Sequence, residues 1–206
     1  MTAVARVTML HLRTVAPYRL QGLLVFVAII LIDVRTLVAL VLALALGLAP
    51  LVAAQPFQVA DKADLQTLYA VLPLSRRAVV IGHYAWALMS FLAIVITGTA
   101  LAALLAQARG LAFGGPSLAT LLTLSWALFA ANMSIQLPLL IRFGYTRISV
   151  LATTVPLALV MVAAIRLHLD LEVIQHWLPL FGVAGVAAIA ASAAVASHTL
   201  GQGQNS

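Results

Sequence analysis

Cysteine is absent from this 206-residue chain, so no disulfide can staple it and no thiolate can hold a metal. Charge is scarce as well. Only 8% of residues are charged, five of them acidic, and Lys62 is the only lysine. A soluble domain carries about 25% charged residues. With one lysine and no Gly-x-x-x-x-Gly-Lys-Ser/Thr run, the chain has no P-loop, and ATP hydrolysis by that route lies outside it. There is no His-Glu-x-x-His, no Gly-x-Ser-x-Gly and no pair of carboxylates within an apolar run. His11, His83, His168, His176 and His198 show no metal spacing. His168, Asp170, Glu172 and His176 share one segment, but nothing in their pattern fixes a ligand geometry. No catalytic residue, metal site or cofactor is therefore assigned, and enzyme chemistry is not expected of this chain. Residues 1–19 carry Arg6, Arg13 and Arg19 without a separate apolar core and cleavage site, so no cleavable signal peptide is expected.

What is present is apolar surface: 64% of the residues are hydrophobic. So few charges could not keep that surface in water, and lipid is the solvent that fits. A helix crossing a bilayer needs about 20 mostly apolar residues. Six runs approach or meet that length, at about 18–33, 36–55, 78–106, 117–141, 148–165 and 177–197. The first is short, and whether it crosses fully stays open. Pro50 is placed to kink the second, Pro138 the fourth and Pro156 the fifth. The chain thus reads as an all-α integral membrane protein with one transmembrane domain over 1–198 and a disordered polar tail over 199–206. The net charge of +6 reads as an orientation signal and not as a nucleic-acid surface. With the N-terminus in the cytosol, the inside holds Arg6, Arg13, Arg19, Lys62, Arg76, Arg77, Arg142 and Arg147, and the outside only Arg35, Arg109 and Arg166. Both termini are then cytosolic.

The interval Pro56–Arg77 carries the most information. From Asp61 to Leu72 it reads as a short helix, with Leu65, Leu68, Tyr69 and Leu72 on one apolar stripe and Asp61 and Asp64 near its start. Pro73 ends it, Ser75 can cap the next helix, and Arg76 and Arg77 sit at headgroup level. Two readings fit: a helix lying on the membrane, or one that inserts into a groove on a cytosolic partner. Val4–Ala16 is likewise amphipathic, with Arg6 and Arg13 on one narrow face, and serves equally as an interfacial helix or a simple basic anchor.

The run from Phe57 to Tyr84, with Phe57, Asp61, Lys62, Leu72, Pro73, Ser75, Arg76 and Tyr84, resembles the first cytoplasmic loop of small ABC-2 type transporter permeases. A second stretch, Pro138-Leu-Leu-Ile-Arg142-Phe143-Gly144 followed by Arg147, is similar to the family's close of the fourth span. Ala60, Leu65, Val71 and His83 depart from the usual pattern. The resemblance implies a subunit that pairs as a homo- or heterodimer in the bacterial cytoplasmic membrane and binds separate ATP-hydrolysing subunits on its cytosolic side. It also implies that the loop helix (Asp61, Lys62, Leu65, Leu68, Tyr69, Leu72, Pro73, Ser75, Arg76) is the coupling element. Its relatives tend to export amphipathic peptides, lipids or drugs by alternating access.

Within the spans, Thr97, Ser125, Asn132 and Gln136 either line a pathway or bond neighbouring helices. Gly182, Gly185, Ala188, Ala191 and Ala194 allow close helix approach in the last span. A vitamin-type uptake subunit, also of six spans, is the alternative class. It would need a polar or aromatic cluster at the outer helix ends, where this chain offers few such residues.

Overall fold

A computed structural model of the chain describes residues 9, 41–42, 44–62, 76–110, 116–148, 151, 154–156, 158–159 and 171–202. Every described residue except Arg109, Gly110 and Gly144 is helical, which bears out the all-helical reading. Four long helices carry the architecture: α1 (Ala49–Lys62), α2 (Arg76–Ala108), α3 (Pro116–Phe143) and α4 (Leu171–Gln202). Among the described residues, three helices are long and apolar enough to cross a bilayer: Arg77–Ala108, Leu118–Phe143 and His176–Ser197. The first span, nearly all of the N-terminal helix and most of the fifth span lie outside the described residues.

The second span departs from expectation. A π-helical turn, Leu44–Leu48, leads into α1. Pro50 follows it and cannot donate to the Leu46 carbonyl, and the ladder widens where that donor is missing. The helix does not stop at Gln55. It runs through Pro56 to Lys62, so Asp61 and Lys62 lie in the last turn of α1 and not at the start of a separate helix. Residues 63–75, which carry the rest of the proposed coupling stripe, lie outside the described residues. At the other end of the chain, α4 opens at Leu171 and continues to Gln202, into the segment expected to be a polar tail.

How α1 continues through Pro56 is visible in its neighbour. Proline has no N–H, so the carbonyl four residues earlier, on Val52, loses its helical donor. Trp86 Nε1 on α2 donates to that oxygen at 3.1 Å. The same device recurs on α3. Pro138 deprives the Ser134 carbonyl, and Ser192 Oγ on α4 donates to it at 2.8 Å. Because the serine hydrogen is committed there, the Tyr84 hydroxyl is the donor in its 2.6 Å bond to Ser192 Oγ. One polar chain thus ties α2, α4 and α3 together inside an apolar core.

That core contains Phe57, Tyr84, Phe91, Phe129, Met133, Leu137 and Leu140, all buried. Phe57 stacks on His83 with ring centroids 4.1 Å apart, and Phe91 stacks on Phe129 at 4.4 Å. The most extensive helix contact is α3 on α4. There Trp126 lies over Gly185, where an added Cβ would stand 2.5 Å from the indole nitrogen, and Trp126 Nε1 donates to the Gly182 carbonyl at 3.1 Å. Of the two glycines, only Gly185 is needed for close approach; a Cβ on Gly182 would meet nothing within 4 Å. The opposite face of α4 is exposed at Leu180, Val183, Val186 and Val195, as a lipid-facing surface must be.

Two outcomes test this packing. Ser192→Ala strands both the Ser134 carbonyl and the Tyr84 hydroxyl, and should cost about 1–3 kcal/mol in thermal unfolding in detergent, with Tyr84→Phe costing less. Gly185→Ala should destabilise by about 1–3 kcal/mol through overpacking against Trp126, while Gly182→Ala should be neutral or better.

Candidate functional site

The charged end of the bundle is assembled by two helix ends that are distant in sequence. α3 finishes at Phe143, and Gly144 takes a left-handed conformation, φ 77°, with its N–H on the Leu140 carbonyl at 3.0 Å. This is the αL cap, in which the residue after the helix bonds back to its last turn. The chain then re-enters helix at 145–148. The start of that turn has unpaired N–H groups, and the acceptor comes from α1. Asp61 Oδ2 accepts from Thr146 N at 2.7 Å and from Thr146 Oγ1 at 3.2 Å. Asp61 therefore acts as an N-cap supplied from another helix.

Arg142 and Arg147 share with Asp61 a recess of about 450 Å³. Gly144 lies against the carboxylate, where a Cβ would stand at ordinary contact distance, 3.4 and 3.7 Å, from its two oxygens. Arg142 lies 5.3 Å above the Phe143 ring, a cation–π distance, and both side chains are exposed.

The structure thus brings Asp61 together with Arg142, Gly144 and Arg147, residues singled out from two separate stretches of sequence. Lys62 is exposed beside them. Pro138 sits a turn and a half inside α3 and acts there through the Ser134–Ser192 bond. Leu65, Leu68, Tyr69, Leu72, Pro73 and Ser75 lie outside the described residues, and Arg76 is placed as the first residue of α2. Thr97 is exposed and bonds back to the Ala93 carbonyl at 2.8 Å. Ser125, Asn132 and Gln136 are fully buried on α3. Thr146, Trp86, Trp126 and Ser192 were not legible as partners. The prolines name the carbonyls left without donors, but nothing local names the side chain that answers them, and Asp61 meets Thr146 across 85 positions.

Asp61→Ala should loosen the 144–148 turn by about 1 kcal/mol, seen as roughly fivefold faster amide exchange at Thr146, whereas Asp61→Asn, which keeps an acceptor, should change it less.

A family model described as ABC-2 family transporter protein matches residues 15–199. No curated protein and no solved structure matches the chain. The match covers α1, α2 and α3, α4 as far as Thr199, and both motif-bearing stretches, and with it the chain belongs to the ABC-2 family of transporter membrane proteins.

Proposed function

We propose that the chain is the permease of an ATP-driven exporter, with a separate ATPase docking at the end that carries Lys62, Arg77, Arg142 and Arg147. The observation that carries this reading is the Asp61–Thr146 bond. It ties the last turn of α1, from which the proposed coupling segment departs, to the end of α3. A push on that segment is then passed to the bundle instead of being lost in a loose loop, which is what nucleotide-driven rigid-body motion requires.

Charge supports the orientation. Among the described residues the Asp61 end holds Lys62, Arg76, Arg77, Arg142 and Arg147, and the opposite end holds Arg109. The rule that basic residues stay inside makes the Asp61 end cytosolic. On this reading six spans place both termini in the cytosol, two permease copies or a related pair form the transporter, and the membrane is the bacterial cytoplasmic one. The cargo is an amphipathic peptide, lipid or drug-like molecule, since the described span interiors hold polar groups but no charge.

Capture tests the partner. A tagged chain should co-purify a P-loop ATPase, and Asp61→Lys with Lys62→Glu and Leu68→Glu should abolish that capture. Normal assembly by the triple variant removes the coupling assignment. Because the chain has no cysteine, topology can be read from single introduced thiols. Arg109→Cys should react with an impermeant maleimide in intact cells, and Lys62→Cys only after permeabilisation; the reverse pattern overturns the orientation.

A further inference from the structure

Polar side chains in the described spans follow two different rules. Most are satisfied within their own helix or by a neighbour. Ser90 bonds to the Trp86 carbonyl, Thr97 to Ala93 and Ser134 to Ala131, each three or four residues back. This is how a hydroxyl is normally made harmless in hydrocarbon. Ser125, Asn132 and Gln136 do otherwise. They are 0%, 1% and 0% exposed. Yet Ser125 Oγ, Asn132 Oδ1 and both amide atoms of Gln136 have no hydrogen-bond partner among the described residues. Ser125 could bond back one turn and does not. Thr99 Oγ1 on α2 shares this condition but stands alone.

The three positions are seven and four residues apart, so they fall on one face of α3 and form a track roughly 16 Å long at 1.5 Å per residue, about half the hydrocarbon thickness. Phe129 and Met133, set between them, are packed in the core. A buried polar group without a partner is a net cost to the fold, and three on one face of a lipid-embedded helix are not explained by packing. Their chemistry is specific. Gln136 offers donors and an acceptor, Asn132 an acceptor, Ser125 both, and none carries charge.

We infer that the Ser125–Asn132–Gln136 track holds an uncharged hydrogen-bonding group of the transported molecule, an amide or hydroxyl, when the spans part. The inference rests on the permease reading and adds to it the class of headgroup. The track is closed in the conformation described, so alternating access exposes it and the cargo supplies the missing partners. A carboxylate or ammonium would meet no counter-charge from these three residues, whereas an amide can use Gln136 as donor and acceptor at once.

The test uses the full chain in membrane vesicles and three photoreactive alkyl probes of equal length, one ending in an amide, one in a carboxylate and one in plain alkane. The amide probe should label α3 at least about fivefold above the alkane, the ratio expected from one or two added hydrogen bonds. Asn132→Leu with Gln136→Met should reduce labelling to the alkane level and leave Tm unchanged or raised, because each removes an unsatisfied group. Ser125→Ala, the mildest change, should give a partial loss. Labelling that ignores the headgroup, or favours the carboxylate, overturns the inference. So does a fall in Tm in these variants, which would mean that the groups have structural partners. Failure of the permease reading is read separately, as failure of the unmodified chain to capture an ATPase.

Discussion

A carbonyl in hydrocarbon must be paired, and every proline in a span removes one donor. Much of the described bundle follows from how that debt is met. Pro56 and Pro138 free the carbonyls of Val52 and Ser134, and Trp86 and Ser192 answer them from adjacent helices. Each repair is also a joint: the first fixes α2 against α1, and the second, extended by Tyr84, fixes α4 and α2 against α3. Packing between apolar helices in lipid gains little from hydrophobic burial, because the lipid tails are as apolar as the partner. Directional bonds at proline breaks and the close seat of Trp126 on Gly185 therefore decide which helix faces which.

The charged end uses the same logic in a wetter setting. Gly144 ends α3 in a conformation that a side chain would strain, the following turn opens with free N–H groups, and Asp61 arrives from α1 to accept from Thr146. The bond is exposed and modest in energy, as helix capping by a side chain is. Its significance is mechanical. It links the described start of one stretch that carries the family resemblance, at Asp61, to the end of the other, at Thr146.

Much was legible in the sequence. Apolar length and the shortage of charge set the class, and the spans over 78–106 and 117–141 agree with the helices within a few residues, because hydropathy integrates over twenty positions and is insensitive to detail. The sequence does not show that the helix continues past Gln55, because a proline and the polar residues after it look like a stop, and that local signal fails when a neighbouring indole supplies the lost bond. Nor does it show that α4 continues to Gln202, since a helix carries its backbone bonds internally whatever its side chains do.

Composition, run length and motif spacing by themselves determined that this is a helical membrane protein resembling ABC-2 permeases, and which residues carry that resemblance. Those properties are additive along the chain and need no knowledge of neighbours. Tertiary structure alone decided that Asp61 pairs with Thr146, that Ser192 rather than a backbone N–H serves Ser134, and that Thr97 is satisfied at the surface while Asn132 Oδ1 and the Gln136 amide are buried without hydrogen-bond partners among the described residues. Hydrogen bonds and burial belong to pairs of surfaces, and a sequence read from end to end holds no record of which surfaces meet.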